Sequence, residues 1–268
     1  MIKGGYHLAK VRPTIDVLPN QAFDAGDVLF DWYAFEIPRG ACKLSTLNVI
    51  MPGTDTAAAA GIDMELFFAT SVNGVAPTSL GDPNDAITVV PATACKNHII
   101  GHKYLDADVM ENSDELVSYN IWTNTLGNAT ATTDAAMVDM VLEGDPTYAG
   151  ATAGYQTIWV AALTVGTPNH GTGVLLDGAV TSSGAQVLDV SEDQEANNVF
   201  AIGDELLACD ANGTSVQKIG TITSLTDDTV TIDAKDIFGT TVWSSGNLAD
   251  DDEICFRRPF TFHLGFEY

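Results

Sequence analysis

Phe260-Thr261-Phe262-His263-Leu264-Gly265-Phe266-Glu267-Tyr268 alternates apolar and small or polar residues without a break. On a strand, successive side chains point to opposite faces, so this spacing sends one set into a core and the other to the surface. The chain is therefore expected to close on a well-specified strand of a packed sheet. The stretch before it, from about Pro168 to Asp252, reads as a separate small module. The simplest organisation is a β domain that opens, accepts an insertion and closes with its last strand. The boundaries read from the sequence are 1–168 with 255–268 for that domain, and 169–254 for the insert.

Working outward, the pattern stays extended. Val28, Phe30, Trp32 and Ala34 alternate with Leu29, Asp31, Tyr33 and Phe35, which is too apolar for a solvent-facing edge and predicts a strand covered on both sides. Leu44–Met51, Ile62–Ser71, Leu116–Trp122, Ala136–Leu142 and Tyr155–Val165 read as further strands, punctuated by Pro52-Gly53, Asn73-Gly74 and Gly144-Asp145-Pro146. Ser79–Asp85 is a polar turn cluster. In the insert, Asn212-Gly213 and Thr226-Asp227-Asp228 separate β-branched runs, a strong hairpin signal. The fold class expected is all-β: an antiparallel, jelly-roll-like β-sandwich carrying a small SH3-like β-barrel.

The formal charge is −25, from 36 acids against 11 bases, in 268 residues that are 46% hydrophobic. It is unevenly spread: residues 1–43 are net zero, 44–170 carry −12, 171–253 carry −14 and the remainder +1. A field of this sign repels nucleic acid and anionic membrane, so neither is expected as a partner. Two readings of it stand. It keeps the protein soluble in a crowded or saline medium, or the neutral ends dock on a partner while the acidic remainder faces solvent. The second makes Lys3, Lys10, Arg12, Arg257 and Arg258 the candidate docking residues.

Other chemistry resolves into structural readings. Cys42, Cys95, Cys209 and Cys255 are far apart, contain no CxxC pair and read as buried thiols. Met1–Tyr6 lacks a signal-peptide core, and the longest apolar run, Ile158–Val165, is too short to span a bilayer. Asn128 and Asn212 head glycosylation sequons that read as turns. His98 and His102 have the i, i+4 spacing of a metal pair on a helix, but lack the intervening Glu and contain Gly101. Asp106, Asp108, Glu111, Asp114 and Glu115 lack the spacing and glycine of a calcium loop, and like Asp250–Glu253 they read as a solvated acidic run. No nucleophile elbow, phosphate-binding loop or dinucleotide fingerprint is present. No cofactor, metal or catalytic residue is therefore assigned. Trp122 and Trp159 read as core; Trp243, in a turn-rich segment, is the better exposed candidate for stacking on a sugar.

The stretch Phe200–Asp233, with its Gly203-Asp-Glu-Leu-Leu, Ile219-Gly-Thr-Ile-Thr and Val230-Thr-Ile cadence, resembles small β modules of virion structural proteins of tailed bacteriophages. The acidic, Lys-poor, Thr/Ala/Gly-rich style of the whole chain is similar to structural proteins of marine and cyanobacterial phages. The resemblance implies a non-enzymatic particle component on the outer capsid surface, assembled in the host cytoplasm. It implies a decoration (cement) protein, as a homotrimer on a lattice of the major capsid protein. The alternative is a tail, neck or carbohydrate-binding host-attachment component.

Overall fold

A computed structural model describes residues 4–17, 23–52, 62–87, 95–106, 111–112, 119–123, 140–167, 173–191, 195–209 and 216–268. The chain is an all-β protein whose strand pairs are all antiparallel. Two sheets form a sandwich. The first runs β1 (Tyr6–Val11), β16 (Thr261–Glu267), β3 (Cys42–Pro52), β7 (Tyr119–Thr123), β6 (Glu111–Asn112), with β8 (Met140–Leu142) also on β3. The second runs β2 (Val28–Pro38), β9 (Tyr155–Thr164), β4 (Met64–Ala69), β5 (Ile99–Leu105). From β1 to β4 the chain crosses from one sheet to the other at each step, so both sheets are needed before either is complete.

The terminal strand sits as its alternation predicts. Phe262, Leu264 and Phe266 are buried, while Thr261 and His263 are half-exposed. It lies between β1 and β3, in register Ala9↔Leu264 and Leu47↔Leu264. Its aromatics meet those of the facing sheet: Phe262 with Phe30 at 5.5 Å and Phe266 with Phe35 at 6.1 Å between ring centroids. One core thus joins residues from Ala9 to Phe68, Leu142 to Ala162 and Phe260 to Phe266. Gly265 is required in this strand because Tyr6 lies across it, its hydroxyl 2.9 Å from Thr46 Oγ1; a Cβ there would sit 1.8 Å from that hydroxyl oxygen.

The strand read as covered on both sides is so covered over its first residues, whereas Ala34 is exposed. Val28, Leu29 and Phe30 are all buried. On the outer face, Val28, Leu80, Cys95 and Ala161 form a small cluster with Trp32, Ile87 and Leu163. The polar turn cluster therefore folds back over β2, pinned by Leu80 N–H to Asp31 Oδ1 (2.8 Å) and Trp32 Nε1–H to the Thr78 carbonyl (2.9 Å).

A second core is built from Val174 to Ile254. Its strands are β10 (Val174–Leu175), β15 (Glu253–Phe256), β12 (Glu205–Cys209), β13 (Gln217–Leu225), β14 (Thr229–Ile232) and β11 (Gln186–Asp189), in that order, with one short helix α1 (Ala196–Val199). The two ends of this sheet meet. A bridge joins Leu176 and Val190, with Asp177 N–H to the Asp189 carbonyl (3.0 Å) and Ser191 N–H to the Leu175 carbonyl (2.9 Å). Closure removes both edges. Inward positions alternate along the strands, as Leu206/Ala208 and Val230/Ile232 show. Gly220, at φ +128°, lets β13 turn from β12 to β14 where a Cβ would meet the Ala234 backbone at 2.5 Å.

One boundary and one burial differ from the sequence reading. Cys255 and Phe256, assigned to the terminal strand, pair with Leu207 and Leu206 in the barrel, so the crossing back falls at Arg257-Arg258-Pro259. Asp252 and Glu253, read as solvated, are buried. Asp252 Oδ2 accepts the Ala249 N–H (2.7 Å) and Glu253 accepts the Gly173 N–H, so these carboxylates tie loops to the barrel wall.

Candidate functional site

The residues with the most concentrated charge lie where the two cores meet. Pro259 keeps Arg258 out of the helical region and makes the return segment extended. It leads Arg257 and Arg258 past the start of β12, where Glu205 is almost wholly buried, its side chain 1% exposed. Arg258, 5% exposed at its side chain, donates through Nε to Glu205 Oε2 and through a terminal nitrogen to the Arg12 carbonyl (2.7 Å). Arg257 lies 3.5 Å from the same carboxylate oxygen and donates through Nε to Asp16 (3.1 Å). Asp16 also takes Lys218 Nζ at 2.5 Å, and Arg12 reaches Asp204 at 3.2 Å.

Backbone bonds run beside the charges. Arg257 N–H donates to the Glu205 carbonyl (2.8 Å) and Ile15 N–H to the Arg257 carbonyl (2.9 Å). Glu205 Oε1 accepts Ile237 N–H at 2.6 Å, and the neighbouring Phe238, 75% exposed, lies 5.9 Å from the Arg258 guanidinium carbon. Residues 12–16 and 257–258 thus bind the barrel face around Asp204, Glu205 and Lys218 from two sides. This arrangement neutralises charge and fixes orientation. A buried carboxylate with two guanidiniums has its hydrogen-bonding capacity met, and breaking such a group exposes an uncompensated charge.

Sequence reading of the docking residues is corrected here. Arg12, Arg257 and Arg258 are consumed inside the chain, because in a molecule with 36 acids and 11 bases an adjacent Arg pair finds internal carboxylates first. Lys10 alone of the set is exposed, and Lys3 lies outside the described residues. Trp243 is also corrected. It is 3% exposed, sits in the barrel core and donates its indole N–H to the Ser245 carbonyl. The turn-rich segment wraps it inward, so its face is not offered to a sugar. Trp159 is buried as expected, and the side chain of Trp122 lies outside the described residues.

The remaining candidates separate in space or in role. His98 precedes β5 and places Nδ1 2.9 Å from the Thr70 carbonyl. His102 stands on the strand beside Phe67 (4.9 Å between rings) and 3.7 Å from Glu65. Of the acidic run, Asp108, Asp114 and Glu115 lie outside the described residues. Among the described residues no cluster of three or more His, Cys, Asp or Glu has the geometry to hold a metal ion. The four cysteines are buried free thiols, and burial pushes Cys255 well above the usual thiol range, with Glu253 and Cys209 adding to it. A cleft beside the junction, bordered by Arg12, Asp204, Phe256, Arg258 and Thr261, encloses about 40 Å³. That is well below the size of an ordinary small-molecule site. No described helix is long and apolar enough to cross a membrane.

No family model matches the chain, and no curated protein matches it. Among solved structures, it is similar to a chain in the atomic structure of Sulfolobus turreted icosahedral virus. The identity is 11% and the TM-score 0.15, over 99% of this chain and 91% of that one. It is also similar to a chain in the structure of Macrobrachium rosenbergii nodavirus. There the identity is 9% and the TM-score 0.13, over 100% of this chain and 91% of that one. Overlaps this slight do not establish a common fold.

Proposed function

We propose that this chain is a non-enzymatic virion structural protein, of the decoration type that binds the outside of a capsid and stabilises it. The observation that carries the reading is the junction. Buried ion pairs hold an acidic barrel at a fixed orientation on a β-sandwich, as suits a rigid element displayed from a base. Decoration needs area and complementarity, not a reactive pocket. The resemblance of Phe200–Asp233 to phage virion modules points the same way. With Arg12, Arg257 and Arg258 engaged internally, the docking surface on the capsid lattice is proposed to lie on the sandwich.

The test is the particle itself. Quantitative mass spectrometry of purified particles should find the chain in many copies. Particles stripped of it should release DNA at lower temperature, and adding the purified protein back should restore the higher value, because a bound partner stabilises by mass action. Absence from particles refutes the proposal. Presence in a few copies, with normal particle robustness and failed adsorption to cells, moves the reading to a tail or attachment component.

A further inference from the structure

The geometry points to two copies of this chain joining edge to edge through β1, in antiparallel register with Leu8 opposite Leu8. The reasoning begins with the backbone. Gly5 and Tyr268 exchange both hydrogen bonds, Gly5 N–H to the Tyr268 carbonyl (2.9 Å) and Tyr268 N–H to the Gly5 carbonyl (3.2 Å). The β1–β16 register continues from there without a shift. Bonded pairs alternate along an antiparallel ladder, so His7, Ala9 and Val11 are tied to β16. Tyr6, Leu8 and Lys10 turn their N–H and C=O groups the other way. Among the described residues no strand is hydrogen-bonded to that side of β1.

The same three residues are the exposed ones. Tyr6 is 58% and Leu8 57% exposed, and Lys10 is open to solvent, while Ala9 and Val11 are buried. A free edge with apolar side chains on its open face is a template for strand pairing. The facing sheet has β2 and β5 at its edges; on β2 the Glu36 carbonyl is met by His7 Nε2 at 3.1 Å.

Both constraints select the register. A partner strand must place even-numbered residues against even-numbered residues, or side chains land on the wrong face and donors on the wrong edge. Antiparallel pairing with Leu8 at the two-fold satisfies this, setting Tyr6 opposite Lys10 of the other copy at both ends. It opposes apolar to apolar at Leu8 and no like charges.

Charge favours a second copy in this orientation. Tyr6–Val11 contains one base and no acid in a chain of net charge −25. The barrel, within the −14 segment, lies at the Val11 end of β1, where Arg12 meets Asp204. A two-fold antiparallel pair therefore puts the two acidic barrels at opposite ends of the joint. A parallel pair would put them side by side.

The inference stands apart from the virion reading and is tested on the purified full chain. Sedimentation velocity or light scattering at micromolar concentration should give about 57 kDa, twice the 28.3 kDa chain. Leu8→Lys opposes two lysines and should weaken association about tenfold or more. Leu8→Pro should do the same while folding normally, because the N–H it removes faces away from β16. Leu8→Cys should form a covalent dimer on mild oxidation, since bonded antiparallel partners lie about 5.5 Å apart at Cα. The native cysteines are buried and should not compete. A monomer, or a trimer or dimer unaffected by Leu8→Lys and Leu8→Pro, overturns the inference, as does Leu8→Cys that stays unlinked. Circular dichroism of each variant separates lost pairing from lost fold.

Discussion

Replacing Glu205 with Gln tests whether the junction holds the two cores together. The change keeps shape and leaves an oxygen to accept the Ile237 N–H (2.6 Å). It removes the charge that faces Arg258 and Arg257. With side-chain exposures of 1% for Glu205 and 5% for Arg258, the pair belongs to the buried class. Loss of one partner there costs about 3–5 kcal/mol, against roughly 0–1 kcal/mol for a solvated pair. A domain is stable by only about 5–15 kcal/mol, so the urea midpoint should fall visibly. Arg258→Met should cost less, because Arg257 still faces the carboxylate. The double variant should be more stable than the two single losses predict, with a coupling of about 1–3 kcal/mol. Unfolding should be followed by tryptophan fluorescence and by circular dichroism, both of which report both cores. Raising salt should change the result little, since buried pairs are weakly screened. A Glu205→Gln cost below about 1 kcal/mol, or strictly additive losses, refutes the claim that this contact is a desolvated lock.

Other perturbations have equally definite outcomes. Gly265→Ala should destabilise by about 1–3 kcal/mol through crowding against Tyr6 and Thr46. Tyr6→Ala in the same chain should recover part of that loss in thermal melts. Trp243→Ala should cost about 3–5 kcal/mol of barrel stability and leave any glycan-array signal unchanged, because the ring is core. Asp145 accepts bonds from the Thr147 hydroxyl and from the N–H groups of Gly74 and Thr147, which hold its carboxyl at about 2 against 3.8. A lowered carboxylate stabilises above its unfolded value and loses that support as pH falls through the folded one. The Tm of the wild type should therefore drop between pH 4 and pH 2 more steeply than that of Asp145→Ala. His263 is pushed below the usual imidazole range by burial and then by Lys10, so its share of stability is present above pH 6.5 and declines as pH falls below it.

Much of the architecture was legible because period-2 alternation is a local signal. Phe262, Leu264 and Phe266 declared their buried face without knowledge of any partner, and the doubly apolar β2 declared a cover on each side. The cover itself, Leu80 with Cys95, was not legible, because a turn-rich loop carries no period. β10 and β11 were missed for a related reason. Each is two to four residues long, and they serve to close the barrel through the Leu176–Val190 bridge. The site was misread more seriously. Arg12, Arg257 and Arg258 looked like a free positive surface because regional net charge averages over partners. Only the fold brings Glu205 to Arg258, 53 residues apart, and Asp204 to Arg12, 192 residues apart. Trp243 failed in the opposite direction: polar neighbours suggested exposure, but a turn can wrap a ring inward as readily as display it.

The signal for the junction was nevertheless present in the sequence. Glu205 opens an otherwise apolar run, Leu206-Leu207-Ala208-Cys209, at a position where the wall of a barrel leaves no water. An acid at such a place requires a cation or backbone N–H donors. The bases of this chain are few, and two of them stand together before a proline that fixes their backbone. Scarcity makes the pairing specific. With 11 bases against 36 acids cations are few, and the geometry of the return segment brings two of them to Glu205. The same scarcity explains why β1 is the place left for association. Its open edge is neither acidic nor already joined among the described residues.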